Sequence, residues 1–320
     1  MPLIRNQSDW LDTDGNPIAA HAGGMLRHAG VYYWYGCDMR SNPEGMFNQR
    51  PYQPGEDPGG WRRYFDGFNV YTSTDLVNWQ HRGKALTAPE RGLTTLYVSF
   101  RPHVLYHRGR GCFLMYFYYY PIYPGALLMV AEADDPLGPF RILGPVEAGS
   151  VCGHVGDTNV FLDPDGQAYV LYDDTGFDVR IDRLTDDFRA SQRDGILVLE
   201  RKQESPAMVY YRGRYLVAGS GVDGWSTTET VMAWARHPLG PFSQKRTISQ
   251  ERTWNSQITD MIHIPEADYV LVMCDQWWTP DRTDINRSRY LWLPLTFDPN
   301  TGVACLHYRE QWDPSLPVSE

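Results

Sequence analysis

Apolar and polar residues along the chain mostly alternate or fall into short apolar runs, broken repeatedly by Gly, Pro, Asn and Asp. A period of two is the mark of a half-buried strand, and nowhere is a long 3.6-residue periodicity sustained. The 29 Gly and 23 Pro in 320 residues fit a chain that turns often. The pattern therefore predicts an all-β architecture: a sandwich, a barrel or a propeller.

An internal repeat separates these three. Ala131-Glu132-Ala133-Asp134-Asp135-Pro136-Leu137-Gly138-Pro139-Phe140 returns almost unchanged as Trp234-Ala235-Arg236-His237-Pro238-Leu239-Gly240-Pro241-Phe242. Tyr71 to Trp79 and Ile181 to Phe188 follow the same design. Before each tail stands a strand pair. These run over Val31 to Gly36, Val104 to Tyr118 across Arg108-Gly109, Val160 to Tyr172 across Asp165-Gly166, and Met208 to Ala218 across Arg212-Gly213. A fifth runs from Met261 to Met273 with Pro265-Glu266-Ala267-Asp268 as its turn. Five units spaced roughly 45–80 residues apart predict a five-bladed β-propeller spanning residues 1–320 as one domain, since a blade alone cannot bury both its faces. A sandwich with coincidental repeats is the rival. The insert from Met39 to Phe68 reads as a loop over one face, and the segment Val303 to Tyr308 as a strand closing the ring.

Charge and cysteine usage narrow the function classes. The chain has 29 basic and 39 acidic residues, a net charge of −10. With no Lys/Arg run it has no surface for releasing counterions from a phosphate backbone, so nucleic acid is not an expected partner. No apolar stretch approaches the roughly 20 residues of a membrane span, so no membrane partner is expected. Met1 to Arg5 carries no apolar signal core, which points to a cytoplasmic protein; a secreted protein supplied without its leader is the alternative. The five cysteines are odd in number and widely spaced, which argues for free thiols rather than a disulfide framework or a zinc site. The nine His show no HExxH or paired ligand spacing, so no catalytic metal and no cofactor is expected.

In a propeller the innermost strands converge on the axis at one end, so candidate chemistry sits where those strands begin. The places are Ala20 to Gly24, Ser99 to Pro102, Gly156 to Asn159, Gln203 to Ala207 and Asn255-Ser256-Gln257. Asp157 and Glu204 come from neighbouring units. Two carboxyls meeting at an axis cannot both ionise freely, and one then keeps its proton near neutral pH, as a general acid must. The plainer alternative makes Asp157 a turn cap and Glu204 a surface charge.

These segments, in this order and spacing, resemble glycoside hydrolase family 43, and most of all its exo-β-1,3-galactanase-type branch. The likeness runs from about Trp10 to Phe297. It is carried by Asp12 to Gly24, Tyr32-Tyr33-Trp34-Tyr35-Gly36, Thr74 to Trp79, Arg101-Pro102-His103-Val104, Asp157 with Phe161 to Gly166, and Glu204 to Met208. Gly221 to Trp225, Asn255-Ser256-Gln257 and Asp275-Gln276-Trp277 complete it. The resemblance implies an inverting, exo-acting glycosidase. Glu204 matches the general acid, and Asp157 the residue that raises its pKa and orients it. The first-unit Asp that serves most of the family as base is missing from His21-Ala22-Gly23-Gly24. Gln257 matches the residue that takes its place in the galactanase-type branch, as an imidic tautomer.

The resemblance also implies an oligosaccharide or glycoside substrate, with galactose the first expectation and arabinofuranose or xylose the others. Trp34, Trp225 and Trp277 are candidates to stack on sugar faces, with packing between blades the alternative. His21, Arg101 and Asp275 are candidates to bond hydroxyls; a satisfied buried histidine is the alternative for His21, and a salt bridge to Asp157 or Glu204 the alternative for Arg101. Some relatives hold a hard cation such as Ca2+ on the propeller axis, and that stays open. Two departures stand out. Cys37 and Phe100 occupy positions where the branch carries Glu, which points to a different sugar or linkage, or to lost activity. A carbohydrate-binding propeller without turnover is therefore the second reading. A phosphorolytic enzyme is the third, and it lacks the cationic cluster that phosphate would require.

Overall fold

The computed structural model describes residues 2–6, 8–38, 67–87, 98–120, 127–147, 155–223, 227–277 and 288–317. Five antiparallel sheets form five blades. After a short β1 (Ile4–Arg5), the first blade holds β2 (Met25–His28), β3 (Val31–Cys37), β4 (Gly67–Ser73) and β5 (Gln80–Thr87). The second holds β6 (Val98–His107), β7 (Cys112–Tyr120), β8 (Leu127–Ala133) and β9 (Arg141–Val146). The third has β10 (Thr158–Leu162), β11 (Ala168–Asp173), β12 (Val179–Arg183) and β13 (Ile196–Leu199). The fourth has β14 (Gln203–Tyr211), β15 (Arg214–Gly221), β16 (Thr230–Ala235) and β17 (Arg246–Thr247). The fifth sheet has three strands, β18 (Gln257–Ile264), β19 (Tyr269–Gln276) and β20 (Arg289–Pro294). Two small pairs follow: β21 (Thr296–Phe297) with β22 (Ala304–Cys305), and β23 (Gln311–Trp312) with β1. The five-bladed propeller expected from the repeats is the fold.

The second strand of each blade explains why its run is apolar without alternation. Such a strand is buried on both faces, because a neighbouring blade packs on each side. On β7, Phe113, Met115 and Phe117 share a core with Tyr35 and Val70 of the first blade, while Leu114 and Tyr116 point into the third, against Val170 and Tyr172. On β11, Tyr169 and Leu171 face the fourth blade. β15 sends Leu216 and Ala218 toward Val270 and Val272 of β19. β19 sends Tyr269 and Leu271 toward Tyr32 and Trp34 of β3. Five interblade cores thus follow from strict side-chain alternation on five central strands.

The two Pro-Leu-Gly-Pro-Phe tails are equivalent turns between third and fourth strands. In each the glycine N–H closes the turn, Gly138 on Asp135 O (2.9 Å) and Gly240 on His237 O (2.9 Å). Their φ values, +86° and +77°, lie in the left-handed region that glycine alone enters without strain.

Two expectations are corrected. The first strand pair is not confined to Val31–Gly36: its partner β2 starts at Met25 and turns through Ala29 and Gly30, a short strand in which exposed Arg27 is followed by His28, whose ring packs on Tyr106 and Phe113. Val303 to Tyr308 does not close the ring; its β22 pairs only with β21. Closure comes from β1 on β23, with Ile4 opposite Trp312, and from the side chain of Asn6. Asn6 Nδ2 donates to Trp292 O (3.0 Å) and Arg309 O (2.7 Å), and Trp292 N–H donates to Asn6 Oδ1 (2.9 Å). The amide imitates one residue of a neighbouring strand on the free edge of β20. The insert expected from Met39 to Phe68 lies outside the described residues except for Gly67 and Phe68, which open β4. Cys37, Cys112, Cys274 and Cys305 are free thiols, and Cys152 lies outside the described residues.

Asn6 is 4% exposed, so truncating it strands a buried N–H and buried carbonyls. Asn6→Ala is expected to lose about 2–3 kcal/mol of stability, read from urea unfolding, and more than Ser8→Ala, whose bond is at the surface.

Candidate active site

The strands carrying the candidate residues share one local device. The β6–β7 register shifts between Phe100 and His103, the β14–β15 register between Glu204 and Ala207, and the β18–β19 register between Ile258 and Asp260. These are β-bulges, which bend a strand and re-aim its side chains. Arg101 and Ser205 sit in the first two with φ of +59° and +56°. Each is followed by a proline, Pro102 or Pro206, which has no N–H to leave unpaired where the ladder breaks.

Arg101 is 3% exposed and lies at the centre. Its Nη2 donates to Asp157 Oδ2 of the third blade (2.6 Å), Ser205 Oγ of the fourth, and Gln257 Oε1 of the fifth (3.2 Å). Its Nη1 donates to Ile258 O (3.2 Å). Ser205 Oγ in turn donates to Asp157 Oδ2 (2.7 Å). Burial alone pulls the guanidinium pKa down, and Asp157, Asp275 and Glu204 more than reverse this, so it stays charged.

Glu204 sits beside this hub. Burial first, then the negative field of Asp157, push its pKa from 4.5 up to about 8, against the opposing pull of Arg101. A carboxyl in that state holds its proton at neutral pH. A third carboxyl, Asp173 at the end of β11, escapes the sequence reading. It is 2% exposed, its Oδ1 has no hydrogen-bond partner, and burial with the charges of Asp157 and Glu204 holds its pKa well above the carboxylate range. Backbone bonds lock it to Asp157: Gly156 N–H donates to Asp173 O (2.8 Å), and Asp173 N–H to Asp157 O (3.2 Å). A Cβ at Gly156 would lie 2.0 Å from Asp173 Oδ2, so only glycine fits there.

The Gln257 amide is saturated. Its Oε1 accepts from Trp277 Nε1 (2.9 Å) and Arg101, and its Nε2 donates to Glu204 Oε1 (2.8 Å) and Ser220 Oγ (3.1 Å). Indole and guanidinium can only donate, so the atom facing both is the side-chain oxygen acting as acceptor. The arrangement also puts Glu204 and Gln257 in direct contact, whereas an inverting acid and base stand roughly 6.5–9.5 Å apart with the sugar between them. A substrate entering between them must break this bond.

The remaining candidates divide. Trp277 reaches the site through its bond to Gln257. His21 and Asp275 brace the first blade against the fifth instead of opening to solvent, at 1% and 2% exposure. Asp275 Oδ2 accepts from Ala22 N–H, and its Oδ1 lies 3.5 Å from His21 Nδ1, while the imidazole stacks on Tyr290 at 4.6 Å. Trp34, expected to meet a sugar, is buried between the fifth and first blades, 4.7 Å from both Tyr290 and Trp292 and 5.3 Å from Trp79. It has no free face. Trp225 lies outside the described residues. Cys37 Sγ donates to Ser99 O (3.3 Å), and Phe100 stacks parallel to Tyr118. These two departures from the resemblance thus make contacts typical of a core.

On the axis below the site, His103 faces Arg101 O (3.0 Å) and Thr259 O (3.3 Å). Asp260 accepts from Met25 N–H, Met261 N–H and Asn159 Nδ2. Both carboxylate oxygens are used, and the imidazole fills the space beside Gly24, where a Cβ would lie 2.1 Å from its ring. Among the described residues no group of three or more His, Cys, Asp or Glu gathers to hold a metal. No step below uses a cation. Nor is any described helix long and apolar enough to cross a membrane.

Comparison with known proteins bears on this geometry. No curated protein sequence matches. Among solved structures, a family 43 β-1,3-galactosidase with galactodeoxynojirimycin superposes at a TM-score of 0.81 and 27% identity, covering 97% of this chain and 100% of that one. An exo-β-1,3-galactanase from Clostridium thermocellum gives 0.81 and 28%, covering 99% and 68%. One from Phanerochaete chrysosporium with β-1,3-galactotriose gives 0.80 and 26%, covering 97% and 68%. The model of glycosyl hydrolases family 43 matches residues 60–279, more than half of the sequence, and the chain accordingly belongs to that family of glycosidases.

Proposed function

We propose that this glycosidase acts from the non-reducing end of an oligosaccharide, releasing a galactose-type monosaccharide with inversion at the anomeric carbon. The observation that carries the reading is the placement of Glu204 beside Asp157 in a site whose burial and negative charge push its pKa up to about 8. Glu204 gives that proton to the glycosidic oxygen as the bond to the anomeric carbon breaks. Asp157, fixed by Arg101 and Ser205, keeps the acid protonated between turnovers. Gln257 swings off Glu204 when substrate enters and orients the attacking water on the opposite face of the sugar. The galactose assignment and the exo mode lean on what the similar solved enzymes are described as doing. Phosphorolysis finds no support here, because the Arg101 guanidinium is buried and already engaged by four protein groups. A carbohydrate-binding propeller without turnover is the second reading, and the direct Glu204–Gln257 contact is what favours it.

β-1,3-Galactobiose and aryl glycosides of β-galactose, β-galactofuranose, α-arabinofuranose and β-xylose separate the readings. Turnover of one substrate, with the inverted anomer appearing first by proton NMR, is the expected result. Glu204→Gln is expected to lower kcat by about 10²–10⁴-fold on a substrate with a poor leaving group. Saturable binding of one sugar with no turnover of any would replace the enzyme by the binding module. The first anomer appearing with retained configuration would overturn the inverting mechanism.

The raised pKa of Glu204 sets two pH dependences. The active form is the protonated one, so kcat/KM is expected to fall as pH rises through about 8. For stability, a group whose pKa is higher in the folded state stabilises fully below its unfolded value, here 4.5, and that contribution is lost as pH rises through about 8. Thermal melts of Glu204→Gln and the parent chain at pH 6 and pH 9 check this. The variant is expected to gain on the parent at the higher pH.

A further inference from the structure

A groove of about 450 Å³ opens on the fourth blade, far from the catalytic end. Leu216, Met232 and Ile248 form its floor, and the 298–304 hairpin forms one wall. Trp234, on β16, stands 39% exposed at its mouth, a large ring left in water by a fold that buries most of its others. Along β16 it lies four residues from Thr230, whose partner Ser220 pairs with Glu204, so roughly 13 Å of strand separates it from the acid before any lateral offset.

Charge distinguishes this groove from an ordinary apolar dent. Arg214 and Arg246 both line it, and no Asp or Glu does. The nearby Asp298 is occupied within its own hairpin, its Oδ1 accepting from the Asn300 and Thr301 N–H groups and from Thr301 Oγ1. Among the described residues neither arginine has a carboxylate partner. In a chain of net charge −10, two unpaired guanidiniums in one acid-free groove are a local reversal of sign. The central carbon of the Arg214 guanidinium lies over the Trp234 ring, 4.6 Å from its centroid. Its N–H donors have no carboxylate partner among the described residues and present the fork that meets a carboxylate in two parallel bonds. The amide of Gln244 and the hydroxyls of Ser243 and Thr301 complete the polar rim.

We propose that this groove binds a carboxylated sugar, a hexuronate unit of an oligosaccharide. The pyranose C–H face lies on the indole, the carboxylate on the guanidinium edges, and the ring hydroxyls on the amide and hydroxyl rim. The ring distinguishes this occupant from a simple anion, and the unpaired positive charge distinguishes it from a neutral sugar. The site is separate from the hydrolytic centre and stands whether or not that centre turns over galactosides.

Isothermal titration of the full chain carrying Glu204→Gln tests it, with digalacturonate, β-1,3-galactobiose and inorganic phosphate as probes. Digalacturonate is expected to bind with a Kd of about 1 mM, at least tenfold tighter than phosphate, and to weaken as salt rises. Arg246→Gln and Trp234→Ala, both at exposed positions, are each expected to weaken that binding about tenfold and, introduced into the chain with Glu204 intact, to leave aryl-glycoside turnover and the melting temperature unchanged. Equal affinity for phosphate would reduce the groove to a generic anion site and overturn the proposal. So would digalacturonate binding that survives both groove substitutions, that galactobiose displaces, or that never saturates at tens of millimolar. A melting temperature lowered by Trp234→Ala leaves Arg246→Gln to decide.

Discussion

A buried guanidinium that must be neutralised from several directions at once organises this molecule. Arg101 is sealed at the axis, and its partners arrive from the third, fourth and fifth blades. A charge out of water is tolerable only if paired and fully hydrogen-bonded, so displacing any one of those blades leaves it costly. The same charge cannot satisfy every carboxyl around it. Asp157 takes the direct contact, and Glu204 and Asp173 are left in a site where burial and a neighbouring negative charge favour their protonated forms. A structural necessity of the ring centre thus produces the protonated acid that hydrolysis requires.

Around this centre the blades need little specificity beyond parity. Each central strand sends odd residues to one neighbour and even residues to the other. Successive blades are therefore joined by cores of the same kind, and the ring grows by repetition. Much of the specific chemistry enters where the ladder breaks, at the bulges of the second, fourth and fifth blades, while the third blade supplies Asp157 and Asp173 from an unbroken ladder. Those breaks turn Arg101, Glu204 and Gln257 toward one another, although they lie more than a hundred and fifty residues apart at the extremes.

The blade repeat and the meeting of Arg101, Asp157, Glu204 and Gln257 were legible in the sequence, because tails with turn-specific glycines recur and the innermost strands begin at recognisable places. What escaped did so for physical reasons. Trp34 shares parity with Tyr32, and both point into the seam between the last and first blades, so interblade packing, the alternative to a sugar platform, is the outcome. Asp173 ends an apolar run and precedes Asp174, so it looks like an ordinary turn acid; only the tertiary approach of Asp157 and Glu204 gives it meaning. Asn6 carries no local signal, since its partners, Trp292 and Arg309, are almost the whole chain away. Ser205 and Ser220 are small polar residues in strands, and their bonds to Asp157 and Gln257 depend on neighbouring blades.

The seam has a mechanical meaning as well. Ile4 faces Trp312 and Arg5 faces Gln311, so both outward-leading ends leave the β1–β23 ladder at the same end. Tension between them would peel its bonds apart one after another, where strands loaded from opposite ends would share the force. Next under load would come the Asn6 clasp and then the first and fifth blades, joined near the axis by the Ala22–Asp275 contact. A ring held together by buried charge and five apolar cores thus has a zipper for a fastening, weak against a pull at its rim.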